Sequence, residues 1–153
     1  MVLVRLLHQQ DRNEWFRLRC ALWPDDTTAE HEGEMAYILA HFEQMPVFVA
    51  ERPSGGLCGM LEISLKNHVE GCLTDKIGYL EGWYVDAEWR QQGIGRQLVT
   101  AAETWCRQQG CLEMASDTTA DYPISPLAHA KLGYKEINKI ITFRKVLTDE
   151  ETV

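Results

Sequence analysis

The segment Arg90-Gln91-Gln92-Gly93-Ile94-Gly95-Arg96 joins an apolar run, Tyr79 to Val85, to an amphipathic one that begins at Ile94. Glycines at 93 and 95 let the backbone pass close to a ligand, and the amides of residues 93 to 96 fall at the positive end of the helix that follows. The chemistry on offer is capture of a pyrophosphate, with Arg90 and Arg96 adding fixed positive charge. The spacing is not Gly-x-Gly-x-x-Gly, and no Gly-Lys-Ser or Gly-Lys-Thr occurs, so dinucleotide and nucleoside triphosphate sites lack their signatures. From these residues alone, a loop that merely leads into a helix stays open as the other reading.

Two carboxylates flank that loop in sequence. Glu81 lies inside the apolar run before it, between Leu80 and Gly82, and Asp117 ends the short run after the helix. If the two runs are neighbouring strands, both acids face one crevice, where they would hold ammonium groups. Glu81 could then act as general base, directly or through water, while Asp117 orients a second amino group. A solvated or helix-capping carboxylate is the competing reading for each. Glu30, Glu32 and Glu34 crowd the start of another helical stretch, where they suit its dipole and could border the same crevice. His8, His31 and His41 are scattered, and no paired His or Cys spacing points to a metal.

The elements that must position these groups follow from periodicity. Residues 2 to 8 read as a strand, and Asp11 to Leu22 as a helix that stops at Trp23-Pro24. A second helix is expected over 29 to 43 after the capping turn Asp25-Asp26-Thr27-Thr28. Residues 46 to 52 and 57 to 67 form a hairpin about Pro53-Ser54-Gly55-Gly56, and 77 to 86 a central strand with a bulge at Gly82. The apolar stripe Ile94, Leu98, Ala101, Ala102, Trp105, Cys106 marks a helix ending at Gly110. A strand over 111 to 115, a short helix over 124 to 132 ending at Gly133, and two strands or one bent pair over 134 to 147 complete the chain. The expected fold is a mixed α/β (α+β) one, a mostly antiparallel central sheet with helices on both faces, in a single domain over residues 1–153.

Composition bounds the partners. Fifteen basic against 23 acidic residues give a net charge of -8, which disfavours a nucleic-acid partner and favours a cationic one. Five cysteines without a Cys-x-x-Cys pair fit a reducing cytoplasm rather than a disulfide framework. No stretch approaches the about 18 apolar residues of a membrane span.

Arg90-x-x-Gly93-x-Gly95 after an apolar strand, followed by helix, strand and a late Leu132-Gly133-Tyr134, resembles the GNAT superfamily of N-acetyltransferases over nearly the whole chain. Leu22-Trp23-Pro24, Gly71-Cys72, Leu80-Glu81-Gly82 and Glu113-Met114-Ala115-Ser116-Asp117-Thr118 are similar to blocks of its dimeric aminoglycoside 6'-N-acetyltransferases. The resemblance implies acetyl-CoA as cosubstrate, no metal, a polycationic aminoglycoside as acceptor, and a homodimer. It implies that Arg90, Gln91, Gln92, Gly93, Ile94, Gly95 and Arg96 hold the pyrophosphate. It further implies that the backbone of Trp83, Tyr84 and Val85 binds the pantetheine arm, with the Val85 amide on the acetyl carbonyl. His129 stands where many members carry a tyrosine that protonates the departing thiolate. Tyr122 stands in place of an asparagine on the pantetheine, and Ser125 opens the helix beside it. Trp23 would pack on the acceptor ring, with His68 and Asn138 in place of other acceptor contacts. Two further readings stay open on the residues: acetyl transfer to another amine, such as a polyamine or protein N-terminus, and a non-catalytic coenzyme A binding module.

Overall fold

The computed structural model describes residues 1–119 and 121–147. Its elements run β1 (Leu3–Leu6), a 3₁₀ turn, α1 (Arg12–Leu22), α2 (Thr28–Ala40), β2 (Val47–Glu51), β3 (Leu57–Lys66), β4 (Ile77–Val85), α3 (Ile94–Gln108), β5 (Glu113–Ser116) and α4 (Ser125–Lys131). The strands form one sheet in the order β1-β2-β3-β4-β5, antiparallel throughout except for β4 and β5, which are parallel and joined through α3. This is the mixed sheet that the sequence predicts.

Each helix forms where sequence supplies both a stop and an apolar stripe. Thr27 and Glu30 close a reciprocal capping box at the head of α2. The stripe of α3 buries Ile94, Leu98, Val99, Ala102 and Cys106, and Gly110 at φ +88° turns the chain out of it. The hairpin turn closes through Gly55 and Gly56, both at positive φ, with Arg52 N–H donating to the Gly56 carbonyl.

Alternation along the strands gives the sheet two apolar faces. Phe48, Ala50, Leu61, Ile63 and Leu80 pack with α3, whereas Val47, Val49 and Met60 pack with Trp15 and Leu18 of α1 and Met35 and Ile38 of α2. The sheet is therefore covered by helices on both faces, and what lies in the gap at its strand ends is set by where the ladders stop.

Residues 134–147 form no strand, contrary to the expectation of a pair there. The stretch is β-prone, but propensity makes a strand only against a partner, and β5 presents its outer edge without one among the described residues. Ile137, Ile140, Ile141, Phe143, Val146 and Leu147 are left exposed.

Candidate active site

A bulge in β4 creates the site. Glu62 of β3 stands opposite Gly82 and Ile63 opposite Leu80, so Glu81 is an extra residue on β4. Without it, consecutive residues would alternate between faces; with it, both Glu81 and Gly82 turn toward α1 and α2. Glu81 lines a cavity of about 520 Å³ with Arg19, Trp23, Asp26, Glu34, Tyr37 and Glu62. Its Oε1 accepts a hydrogen bond from Ser64 Oγ at 2.7 Å, and Lys66 Nζ lies 3.6 Å away. Gly82 has a different task. A Cβ there would come within 2.8 Å of Trp23 Cζ2, so only glycine lets the indole approach the strand this closely.

Trp23 is held through both its ring and its carbonyl. The Arg19 guanidinium stands over its ring at 4.7 Å, and the Trp23 carbonyl accepts from His31 Nε2 at 3.2 Å. Arg19 Nε donates to His31 Nδ1 at 3.4 Å, which fixes the tautomer with its proton on Nε2. Arg19 itself, only 1% exposed, donates at 2.6 Å to both oxygens of buried Glu62 and also pairs with Glu34. Burial pushes the Glu62 carboxyl up, against the pull of Arg19 and the Trp15 indole, which donates to it at 2.8 Å. Of the three acids at the head of α2, Glu34 lines the cavity, Glu30 caps its helix and Glu32 pairs with Arg12.

Asp117 follows β5 and accepts the Tyr79 hydroxyl. Burial, then this hydrogen bond, push the Tyr79 phenol up, so it stays a donor at neutral pH. Tyr79 faces Ser64 across the ladder, and Lys66 Nζ lies 3.7 Å from its ring centre. Glu81, Asp117, Tyr79, Ser64 and Lys66 thus share one face. His68 does not join them: it is 79% exposed, on the rim of a shallow neighbouring depression with Lys66 and Asp75. Asn138 is exposed in the extended segment, beside Ile137, which packs on Gly71.

On the opposite face the chain offers backbone. The β4–β5 ladder ends at Leu80 and Ser116, while β4 continues to Val85, so a gap opens between the strands. Asp86 N–H donates to the Cys58 carbonyl at 2.8 Å, which makes Gly59 and Val85 a non-hydrogen-bonded pair and turns the Val85 amide away from β3 into that gap. Its carbonyl accepts from Arg90 Nε at 2.8 Å, and the Arg90 guanidinium lies 5.5 Å from the Tyr84 ring, whose own packing is with the α1 side. Gln91 at φ 60° and Gly93 at φ 80° are both left-handed, and Gln92 Nε2 reaches the Glu88 carbonyl at 3.3 Å. Gly93 caps α3 without a side-chain bond, and the first intrahelical donor is the Gln97 amide, so the N–H groups of Ile94, Gly95 and Arg96 are free. Buried Ile94 anchors the turn, and the Arg96 guanidinium donates to the Lys131 carbonyl. A Cβ on Gly95 would lie 2.9 Å from Trp83 Cζ2, and the Trp83 indole nitrogen is buried without a hydrogen-bond partner.

These features fit acetyl-CoA: free amides at a helix head for the pyrophosphate, an open strand edge for the pantetheine amides, and one amide at the end of that edge. His129 borders the gap. Its Nδ1 lies 2.8 Å from the Ser125 carbonyl, an acceptor only, so the ring proton sits on Nδ1 and Nε2 faces Ser116 Oγ at 3.0 Å. Ser125 Oγ also touches Nδ1, at 3.2 Å, and the imidazole meets Trp83 and Tyr134 edge-on. The Tyr122 hydroxyl donates to the Leu22 carbonyl at 3.2 Å, tying the segment after β5 to the end of α1 next to Trp23.

Sequence reading missed Ser64, Lys66, Tyr79, Ser116 and the Arg19–Glu62 pair. One signal was present: Glu62, Ser64 and Lys66 alternate with apolar residues on β3, marking a polar face. Among the described residues no group of three His, Cys, Asp or Glu could hold a metal ion, and no helix is long and apolar enough to cross a membrane.

Comparison with known proteins places this geometry. The model of the acetyltransferase (GNAT) family matches residues 12–134. The chain is 41% identical to the aminoglycoside N(6')-acetyltransferase type 1 of Klebsiella aerogenes over 147 residues, 95% of this chain and 97% of the relative. With the enzyme of the same name from Serratia marcescens it shares 33% identity over 95% of this chain and 99% of that one. Among solved structures, AAC(6')-Iy in complex with the bisubstrate analogue CoA-S-monomethyl-acetylneamine matches with a TM-score of 0.87 at 31% identity, covering 96% of this chain and 99% of the other. The aminoglycoside 6'-N-acetyltransferase AAC(6')-Ih of Acinetobacter baumannii gives 0.88 at 31% identity over 97% of this chain and 100% of that one. The chain belongs to the acetyltransferase (GNAT) family.

Proposed function

We propose that the protein transfers the acetyl group of acetyl-CoA to the 6'-amine of aminoglycoside antibiotics, by direct amine attack in a ternary complex, and so confers resistance to them. One observation carries this reading: Glu81, at the wall of an acid-lined cavity, directly follows Leu80, the last β4 residue paired with β5. The names of the relatives point to the same acceptor.

Acetyl-CoA, when bound, supplies a thioester carbonyl and a thiolate leaving group. Glu81 takes the proton that frees the amine, directly or through water, and Ser64 keeps its carboxylate aimed. Asp117, held by Tyr79, orients a neighbouring ammonium. The Val85 N–H donates to the acetyl oxygen as charge gathers there, an effect of about 3 kcal/mol where one such donor is lost. Arg90, through the Val85 carbonyl, holds the following peptide unit and so steadies the Val85 backbone. Residues 90 to 96 hold the pyrophosphate, and Trp83 and Tyr84 supply the strand edge. Protonated His129 would donate from Nε2 to Ser116, whose hydroxyl can turn to the Leu80 carbonyl at 3.3 Å, so the pair stores a proton at the mouth of the gap. A covalent acyl-cysteine route is disfavoured, because burial pushes the Cys72 thiol up and the Cys106 thiol up to about 12.

Residues 1–153 would act as one domain, in the cytoplasm, where five free cysteines are at home. A homodimer is supported by the exposed apolar residues of 134–147 together with the open edge of β5. Thiol release from acetyl-CoA across an amine panel tests the function. Turnover is expected with a 6'-amino aminoglycoside and absent with its 6'-hydroxyl counterpart; release with simple polyamines alone would replace this acceptor with another.

A further inference from the structure

Lys66 already sits where an acceptor's ammonium group would go. Its Nζ is 3.6 Å from the carboxylate of Glu81 and 3.7 Å from the centre of the Tyr79 ring. That ring is itself made richer in electrons by donating its hydroxyl to Asp117. Carboxylate and π face together make a cradle for one cation, and a side chain of the same protein fills it. Lys66 is 41% exposed at the last position of β3, so its stem is free to swing outward into the shallow depression beside His68 and Asp75.

We propose that Lys66 is a resident cation that an acceptor ammonium must displace from Glu81, and that it thereby sets acceptor affinity. This inference rests on the proposed acceptor site. Exchange of one ammonium for another on Glu81 is nearly neutral, since the incoming group gains only what Lys66 gives up. A monoamine therefore has no surplus with which to evict it. A polyamine brings further ammonium groups to Glu34 and Asp26 in the cavity and to Asp117, and those contacts drive the exchange. Glu62 takes no part, being already paired with Arg19.

The experiment compares wild type with Lys66→Met, which keeps the apolar stem, and Lys66→Arg, which keeps the charge. Each is assayed with a 6'-amino aminoglycoside and with a monoamino sugar of similar ring size. The expected result is that Lys66→Met lowers KM about tenfold for both acceptors, since the cost of displacing Lys66 is common to them, with kcat changed less than threefold. Lys66→Arg should keep the wild-type KM values. Lys66→Gln repeats the test if the methionine variant does not fold. An unchanged or raised KM for the aminoglycoside in Lys66→Met overturns the role of Lys66 while leaving the acceptor site intact. A wild type silent on every aminoglycoside would instead overturn the acceptor assignment.

Discussion

The two proposed ligand surfaces of this molecule are built from different materials. On the α3 side the chain offers main-chain groups: the Val85 amide at an open strand edge, and the amides of Ile94, Gly95 and Arg96 at an uncapped helix head. On the α1 and α2 side it offers side chains, Glu81, Asp117, Glu34 and Trp23, held by Ser64, Tyr79 and the Arg19–Glu62 pair. Backbone recognition depends on fold and tolerates drift in side chains, so it suits a cosubstrate common to a family. Side-chain recognition changes with single substitutions, which suits an acceptor that differs between members. The bulge at Glu81 is the hinge between them, since it ends one regime on β4 and begins the other.

If the division holds, damage to one surface leaves the other working. The largest effect is expected from Glu81→Gln: acceptor kcat/KM should fall about 10²–10⁴-fold, as for loss of a general base, while coenzyme A affinity measured by calorimetry stays within twofold. Arg19→Met comes next, in stability. It leaves Glu62 buried without its cation, at a cost of about 3–5 kcal/mol, read by urea denaturation; adding Glu62→Met should recover most of it. Failure of the double variant to recover would mean that Arg19 acts through Trp23 and Glu34 instead.

A glycine pair sharpens the division further. Gly82→Ala pushes a methyl into Trp23 and should raise acceptor KM about tenfold, roughly 1.4 kcal/mol, with coenzyme A binding unmoved. Gly95→Ala pushes a methyl into Trp83 and should do the reverse by a similar factor. Matching effects of both on both ligands would erase the distinction between the surfaces.

The smallest effect tests a position that touches neither surface. The Arg5 side chain, bonded to Asp11 at 2.7 Å, holds the Asp11 carboxyl below its usual range. Asp11 therefore adds stability that is fully present above the unfolded carboxylate value, roughly pH 4, and is lost as pH falls through the lowered folded value. Asp11→Asn should lose about 1 kcal/mol at pH 7 and show a flatter fall of melting temperature below pH 4, with both ligand affinities unchanged. An equally steep acid transition in the variant would assign the acid sensitivity to other carboxylates.

How legible each surface was follows from the same contrast. The cosubstrate loop is local: Gly93, Gly95 and the stripe of α3 lie within one stretch, and even the bulge announced itself through Gly82. The acceptor surface is assembled across strands, so Glu81 and Asp117 could be named but not their partners. Ser64 and Tyr79 meet only through the β3–β4 register, shifted by one at Glu81, and Arg19 reaches Glu62 across 43 positions of chain. His68 and Asn138, named by their place in a pattern, both stand exposed. The strands expected over 134–147 were read from β-propensity, which says nothing about whether a partner edge exists in the same chain.

Calorimetric titration of coenzyme A into the wild type and into the Glu81→Gln, Asp117→Asn double variant tests the central claim most directly. A cosubstrate held by main-chain amides predicts saturable binding to both, with dissociation constants within twofold of each other. Folded wild type giving no binding heat at millimolar coenzyme A, or a tenfold weakening in the double variant, would contradict it.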